Sequence, residues 1–207
     1  MIDISVSVGR GVSVAEWMTA FGTVGAVLVA LLGPTLWNWW QSPRLQISFE
    51  RQEPYCRDTP LIIENHGAKS TVDSHWVRVK VTNKGRGIAK ACKGKMIAVY
   101  KDDGALRQDR DPMQLRWAGV PWEQSLEPLD LARMEYQFLG VVYAQSNSPQ
   151  AALVVTHDKP EGFSKTLEAH ERHRVRLAAY ADNAKPQTAE FVITYGGDVG
   201  SLKMDWA

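Results

Sequence analysis

From Trp17 to Trp40 the chain runs for 24 residues without one charged side chain, WMTAFGTVGAVLVALLGPTLWNWW. No other stretch limits the fold as strongly. A helix rises about 1.5 Å per residue, so Trp17 to Trp37 measures about 30 Å, the hydrocarbon thickness of a bilayer. Trp17 stands at one end and Trp37, Trp39 and Trp40 at the other, where indole rings favour the headgroup boundary. A buried core helix also tolerates an apolar surface all round, but it is usually shorter and rarely bracketed by tryptophans. A cleaved leader needs a small-x-small site, which GPTLWNWWQ does not offer. The expectation is one retained transmembrane helix over 17–40, with a short tail over 1–16 and a linker over 41–44.

Thr19, Gly22, Ala26 and Ala30 fall on one stripe of that helix. Small residues let helix backbones approach closely in lipid, so the stripe is a candidate surface for homo-oligomerisation, although such residues are common in membrane helices anyway. Pro34 removes one helical hydrogen bond and crowds the carbonyl of Ala30, which favours a kink in the last turns.

Charge gives an orientation. Arg44, Arg51 and Arg57 follow the helix closely, against Arg10 alone before it, and positive residues beside a span stay in the cytoplasm. The bias places the rest of the chain on the cytoplasmic side, as at a bacterial inner membrane; a periplasmic domain is the opposite arrangement. The bilayer is then the first expected partner. A formal net charge of +1 offers no global argument for nucleic acid. Cys56 and Cys92, the two cysteines, make neither a disulfide framework nor a metal-ligand spacing, and read as unpaired, partly buried thiols.

Residues 45–207 are long enough to bury a core of their own. Leu45 to Phe49 and Trp76 to Val81 alternate apolar and polar with a period of two, which puts Val77, Val79 and Val81 on a core face. Between them, 51–75 reads as a long connection with one short edge strand at Leu61–Ile63. Asn83-Lys84-Gly85-Arg86-Gly87 offers residues that tolerate positive φ, hence a turn. Strands are expected at Lys95–Tyr100, Gln114–Trp117, Tyr136–Tyr143 and Ala152–Val155. Arg174–Tyr180 and Thr188–Tyr195 form a hairpin about the turn residues of 182–187. Seven or eight short strands without an amphipathic helix make a mainly β, antiparallel sandwich.

The segment VRVKVTNKGRGIAKAC, followed much later by HRVRLAAYADNAKP and a last strand, resembles immunoglobulin-like sandwiches found in many uncharacterised prokaryotic proteins. In those, V-x-V-x-N-x-G-x-x-x-A marks the second strand and its turn; here the matching residues are Val79, Val81, Asn83, Gly85 and Ala89. The resemblance implies an immunoglobulin-like antiparallel sandwich over most of 45–196. It implies no activity, because fold does not fix function. The Cys…Trp…Cys pattern of antibody domains is absent.

No phosphate-binding glycine loop, GxSxG or HExxH is present. Asp102, Asp103, Asp109 and Asp111 read as solvated loop residues. His157, His170 and His173 are the best metal candidates, but a strand would put the last two on opposite faces, so neither a metal nor a cofactor is expected. One local signal remains: between Ser74 and Lys101 stand eight basic residues and no acidic one. Two paired strands with a solvated face would explain it. The functional alternative takes Arg78, Lys84, Arg86, Lys90, Lys93 and Lys185 as membrane-facing or anion-binding. In an immunoglobulin-like sandwich, the turn after the second strand and the turn of the last hairpin share the end at which the chain enters. Two function classes follow. One is a non-enzymatic, membrane-tethered binding or scaffold module with a protein partner; the other is a ligand-gated effector that senses a small anion such as a nucleotide. A pocket formed by Trp76 with Lys84, Arg86 and Lys93 would mark the second, a flat charged face the first.

Overall fold

The computed structural model describes residues 14–65, 68–101, 106–108, 112–156 and 165–207. Two units separate, Met1–Gln41 and Ser42–Ala207. In the first, helix α1 spans Val14–Trp40 and continues through Pro34 to the last tryptophan. Its window Trp17–Trp37 is long and apolar enough to cross a membrane, and no part of that window is buried. Thr23 donates its hydroxyl to the carbonyl of Thr19 at 2.8 Å, which satisfies a polar group that lipid could not.

The second unit is mainly β. Its strands in chain order are β1 (Leu45–Ser48), β2 (Cys56–Asp58), β3 (Leu61–Asn65), β4 (Ala68–Val72) and β5 (Ser74–Asn83). They continue with β6 (Ala89–Lys101), β7 (Leu106–Gln108), β8 (Met113–Gln114), β9 (Leu129–Leu131) and β10 (Tyr136–Gln145). Last come β11 (Ala151–Leu153), β12 (Thr166–Leu167), β13 (Arg172–Ala181), β14 (Ala184–Thr194) and β15 (Lys203–Trp206). One antiparallel sheet has the order β1-β5-β10-β11-β12, with β2 also on β5; the other runs β15-β14-β13-β6-β7, with β8 and β9 also on β6. Among the described residues, strands β3 and β4 pair only with each other. Among the described residues, five strands reach ten residues or more, β5, β6, β10, β13 and β14, and two- to five-residue pieces complete the sheets, so the short pieces add to the seven or eight strands expected.

The period-two reading of β5 holds: Val77, Val79 and Val81 are fully buried. They share one core with Leu139 and Val141 of β10 and with Val175, Leu177, Phe191 and Ile193 from the other sheet. Several expectations change. The connection over 51–75 contains three strands rather than one, because β2 extends the edge of β5 that β1 began and β3 pairs with β4. Gln114–Trp117 is no continuous strand: Met113–Gln114 pairs with β6, whereas Leu115 bridges Val155 and Trp117 bridges Leu139. The segment thus crosses from one sheet to the other. Only Asp182 and Asn183 make the last hairpin turn, and Lys185, Pro186 and Gln187 lie within β14. A further strand beyond the last hairpin, β15, pairs with β14 and lays Trp206 on Phe191, ring centroids 4.5 Å apart.

Candidate functional site

The Asn83 end of the β unit gathers distant pieces of chain. Leu45 pairs with Asn83, Tyr136 with Thr82, and Ala89 with Leu131, so the starts of β1, β6 and β10 meet the ends of β5 and β9. The Asn183 side chain accepts from Lys90 N and donates to Ile88 O, which brings the last hairpin turn to the same end. Asn83 organises it. The fully buried amide accepts from the backbone N–H of Arg44 (3.2 Å) and Gly85 (3.0 Å) and donates to the carbonyls of Gly87 (2.7 Å) and Leu131 (2.9 Å). All four hydrogen-bonding positions of the side chain are used. Gly85 is required for space, not for the positive φ read from the sequence: a Cβ there would overlap backbone atoms of Ser42, Pro43 and Arg44. Among the described residues, the positive-φ glycines are Gly119 and Gly197.

Exposed at this end are Arg44, Lys84, Arg86, Lys90, Arg133 and Lys185, against Asp130, Glu135 and Asp182. Two large apolar side chains project among them, Ile88 at 51% exposure and Met134 at 55%. Arg78 and Lys93 lie elsewhere. Arg78 is on β5 and Lys93 on β6, opposite Tyr180 in the other sheet. The basic run therefore does not coat two paired strands, because β5 and β6 belong to different sheets. Thr19, Gly22, Ala26 and Ala30 are all exposed on α1. Of the histidines considered for a metal, His157 lies outside the described residues, His170 is exposed and His173 is buried. Cys56 and Cys92 are unpaired, and burial pushes the Cys92 thiol up to about 11.

A second place was only half visible in the sequence. On the outer face of the first sheet lies a cavity of about 230 Å³ lined by Trp76, Arg78, Arg116, Trp117, Trp122 and Gly140, among others. Arg78 is opposite Gly140 in register, and Gly140 N donates to Arg116 O on its other side. Two arginines thus flank a glycine across three adjacent chain segments, roughly 10 Å between the outer two. A bulge follows Gly140, and a Cβ at that position would press on the Val154 side chain, so glycine lets Val154 pack against the sheet. Trp76 stacks on Tyr143 at 4.6 Å and donates to Ser74 Oγ at 2.7 Å.

Arg116 is 4% exposed. One of its terminal nitrogens donates to Trp122 O (2.9 Å) and Ser125 Oγ (2.7 Å), and its guanidinium lies 3.7 Å from the Trp122 ring centroid. Arg78 donates to Pro54 O and lies over Phe138, 5.1 Å away. Burial holds both guanidiniums below the ordinary arginine range; at Arg78 the nearby Arg57 adds to this, and Cys56 and Glu53 oppose it. Three buried N–H donors lack an acceptor here, Arg78 Nε, Arg116 Nε and Trp117 Nε1, and all belong to residues lining this one cavity. A buried donor left unmatched costs about 1–3 kcal/mol. Among the described residues, the lining contains no carboxylate.

Compared with known proteins, the chain matches no family model, no curated protein and no solved structure. Sequence reasoning joined Trp76 to Lys84, Arg86 and Lys93 as the pocket that would mark anion sensing and set Arg78 among the membrane-facing or anion-binding residues; the cavity is lined by Trp76 and Arg78 and by none of the three others. It missed Arg116 and Trp122. The available signal was an arginine between two core residues, Leu115 and Trp117, followed by Gly119, Pro121 and another tryptophan.

Proposed function

We propose that this is a non-enzymatic, single-pass membrane protein whose β unit is a binding module held against the bilayer. The observation that carries this reading is the Asn83 end: six exposed basic residues, three acidic ones, and Ile88 and Met134 projecting between them. Ser42, Pro43 and Arg44 pack onto Gly85 at this same end. Only Gln41–Arg44 separate the helix from β1, a reach of at most about 14 Å. An anionic leaflet matches the charge, each basic group near it contributing on the order of 1 kcal/mol, and two apolar tips suit the headgroup boundary. Arg44, Arg51 and Arg57 favour the cytoplasmic leaflet. Two antiparallel sheets around one core support the immunoglobulin-like reading, in which the remaining loops and edges engage a protein partner.

The test is flotation of residues 42–207, whose core is self-contained, with liposomes of phosphatidylcholine alone or with a third phosphatidylglycerol. Binding is expected only with the anionic lipid, and should weaken at least tenfold in the triple variant Lys84→Glu, Arg86→Glu, Lys90→Glu. Ile88→Ser should weaken it without changing the salt dependence. Equal binding by the triple variant overturns the proposal.

A further inference from the structure

We infer that the cavity over Gly140 is a binding site for a small organic anion: one phosphate or carboxylate group carried on a planar ring. This goes beyond the bilayer-facing reading and does not depend on it, because the residues belong to the outer face of one sheet rather than to the Asn83 end.

Arg78 and Arg116 are adjacent to the same glycine from opposite sides, and Arg116 is buried without an acidic partner in the lining. Burial already disfavours the charged form of both guanidiniums, and no carboxylate of the lining balances either. An anion in the cavity supplies that counter-charge, and the residues it meets carry donors that lack an acceptor. Those donors are Arg78 Nε, Arg116 Nε and Trp117 Nε1. A carboxylate or phosphate has the several lone pairs this needs, and charge-assisted bonds from guanidinium are the strong ones. A neutral polar molecule would satisfy the hydrogen bonds but leave the charge uncompensated.

The walls give the rest of the ligand. Trp76 and Trp122 line the cavity, Trp122 half-exposed, and Val154 and Val120 complete an apolar side. A volume of about 230 Å³ exceeds what an inorganic ion fills and suits a single ring system with its acid. Gly140 contributes by absence, since the Val154 side chain of the apolar wall packs where a Cβ would stand and any side chain there would displace it. Segment 119–125 closes one side, fixed by the bonds from Arg116 to Trp122 O and Ser125 Oγ. Arg116 therefore positions the wall and also faces the ligand.

The test uses the full chain in nanodiscs of neutral lipid. Tryptophan emission and calorimetric titration are read with four probes: adenosine monophosphate, indole-3-acetate, inorganic phosphate and glycerol 3-phosphate. The last carries the acid of a lipid headgroup without a ring. At least one of the first two should bind in the micromolar range and quench emission, and the two ringless probes at least tenfold more weakly. Arg78→Gln should weaken the ringed probe tenfold or more with little change in melting temperature. Arg116→Lys keeps the charge but not the planar fork and should weaken it as well; Gly140→Val should abolish binding. Arg78→Gln is the deciding variant where Arg116 or Gly140 substitutions unfold the chain. No binding of either ringed probe at 5 mM, or parental affinity in Arg78→Gln, overturns the inference. Equal affinity for all four probes refutes the planar body, and glycerol 3-phosphate binding best points to a lipid headgroup and refutes it too. Neutral nanodiscs keep these outcomes separate from the flotation result.

Discussion

Replacing Asn83 by leucine keeps the size of the side chain and removes four hydrogen bonds at once. The bond to Leu131 O is fully buried, and that carbonyl would be left without a donor, a loss of about 1–3 kcal/mol. The bonds with Arg44 N, Gly85 N and Gly87 O are partly accessible, so water recovers some of each and about 0.5–1 kcal/mol apiece is lost. Together the cost is about 2.5–6 kcal/mol, a large part of the stability of an ordinary domain. For a unit of this size each kcal/mol corresponds to about 2–4 °C, so the melting temperature should fall by roughly 5–24 °C. Urea unfolding of residues 42–207, followed by tryptophan emission, measures it. Gly85→Ala is a second arm that leaves the amide intact but forces the Ser42–Arg44 backbone away; overpacking of this kind costs about 1–3 kcal/mol. Losing less than about 1 kcal/mol in Asn83→Leu would refute the claim that this amide joins the strands at the Asn83 end.

Two further predictions concern the thiols and the helix. Cys92 is fully buried with its thiol pushed up to about 11, so at pH 8 Ellman's reagent should modify it only in denaturant, while half-buried Cys56 reacts slowly in the native state. Because the folded thiol holds its proton more tightly than the unfolded one, its contribution to stability is complete below pH 9 and is lost as the pH rises toward 11; a pH series of urea midpoints showing a gain over that range would contradict it. In the helix, Gly22→Ile or Ala26→Ile should preserve membrane insertion and reduce cross-linked dimers in membranes, since bulk on the stripe keeps helix backbones apart. Undiminished cross-linking would leave the stripe as ordinary membrane-helix composition.

Sequence alone determined what depends on neighbours along the chain. The helix follows from an unbroken apolar run with tryptophans at its ends, and needs no partner to be legible. Alternation likewise fixed the core face of β5 and the two strands of the last hairpin, because side chains in a strand change sides at every residue. Tertiary structure decided what depends on pairing. β5 and β6 are consecutive, both basic, and separated by a short turn, yet they enter different sheets, which scatters the basic run over three parts of the surface. Gly85 reads as a turn residue in sequence, whereas the chain needs it because the backbone of Ser42–Arg44 passes where a Cβ would stand. Arg116 alternates with Leu115 and Trp117 as a solvent-facing strand residue would, and is buried only because segment 119–125 folds over it. Burial of a charge is a property of what covers it, and that cover comes from pieces of chain whose positions no local pattern records.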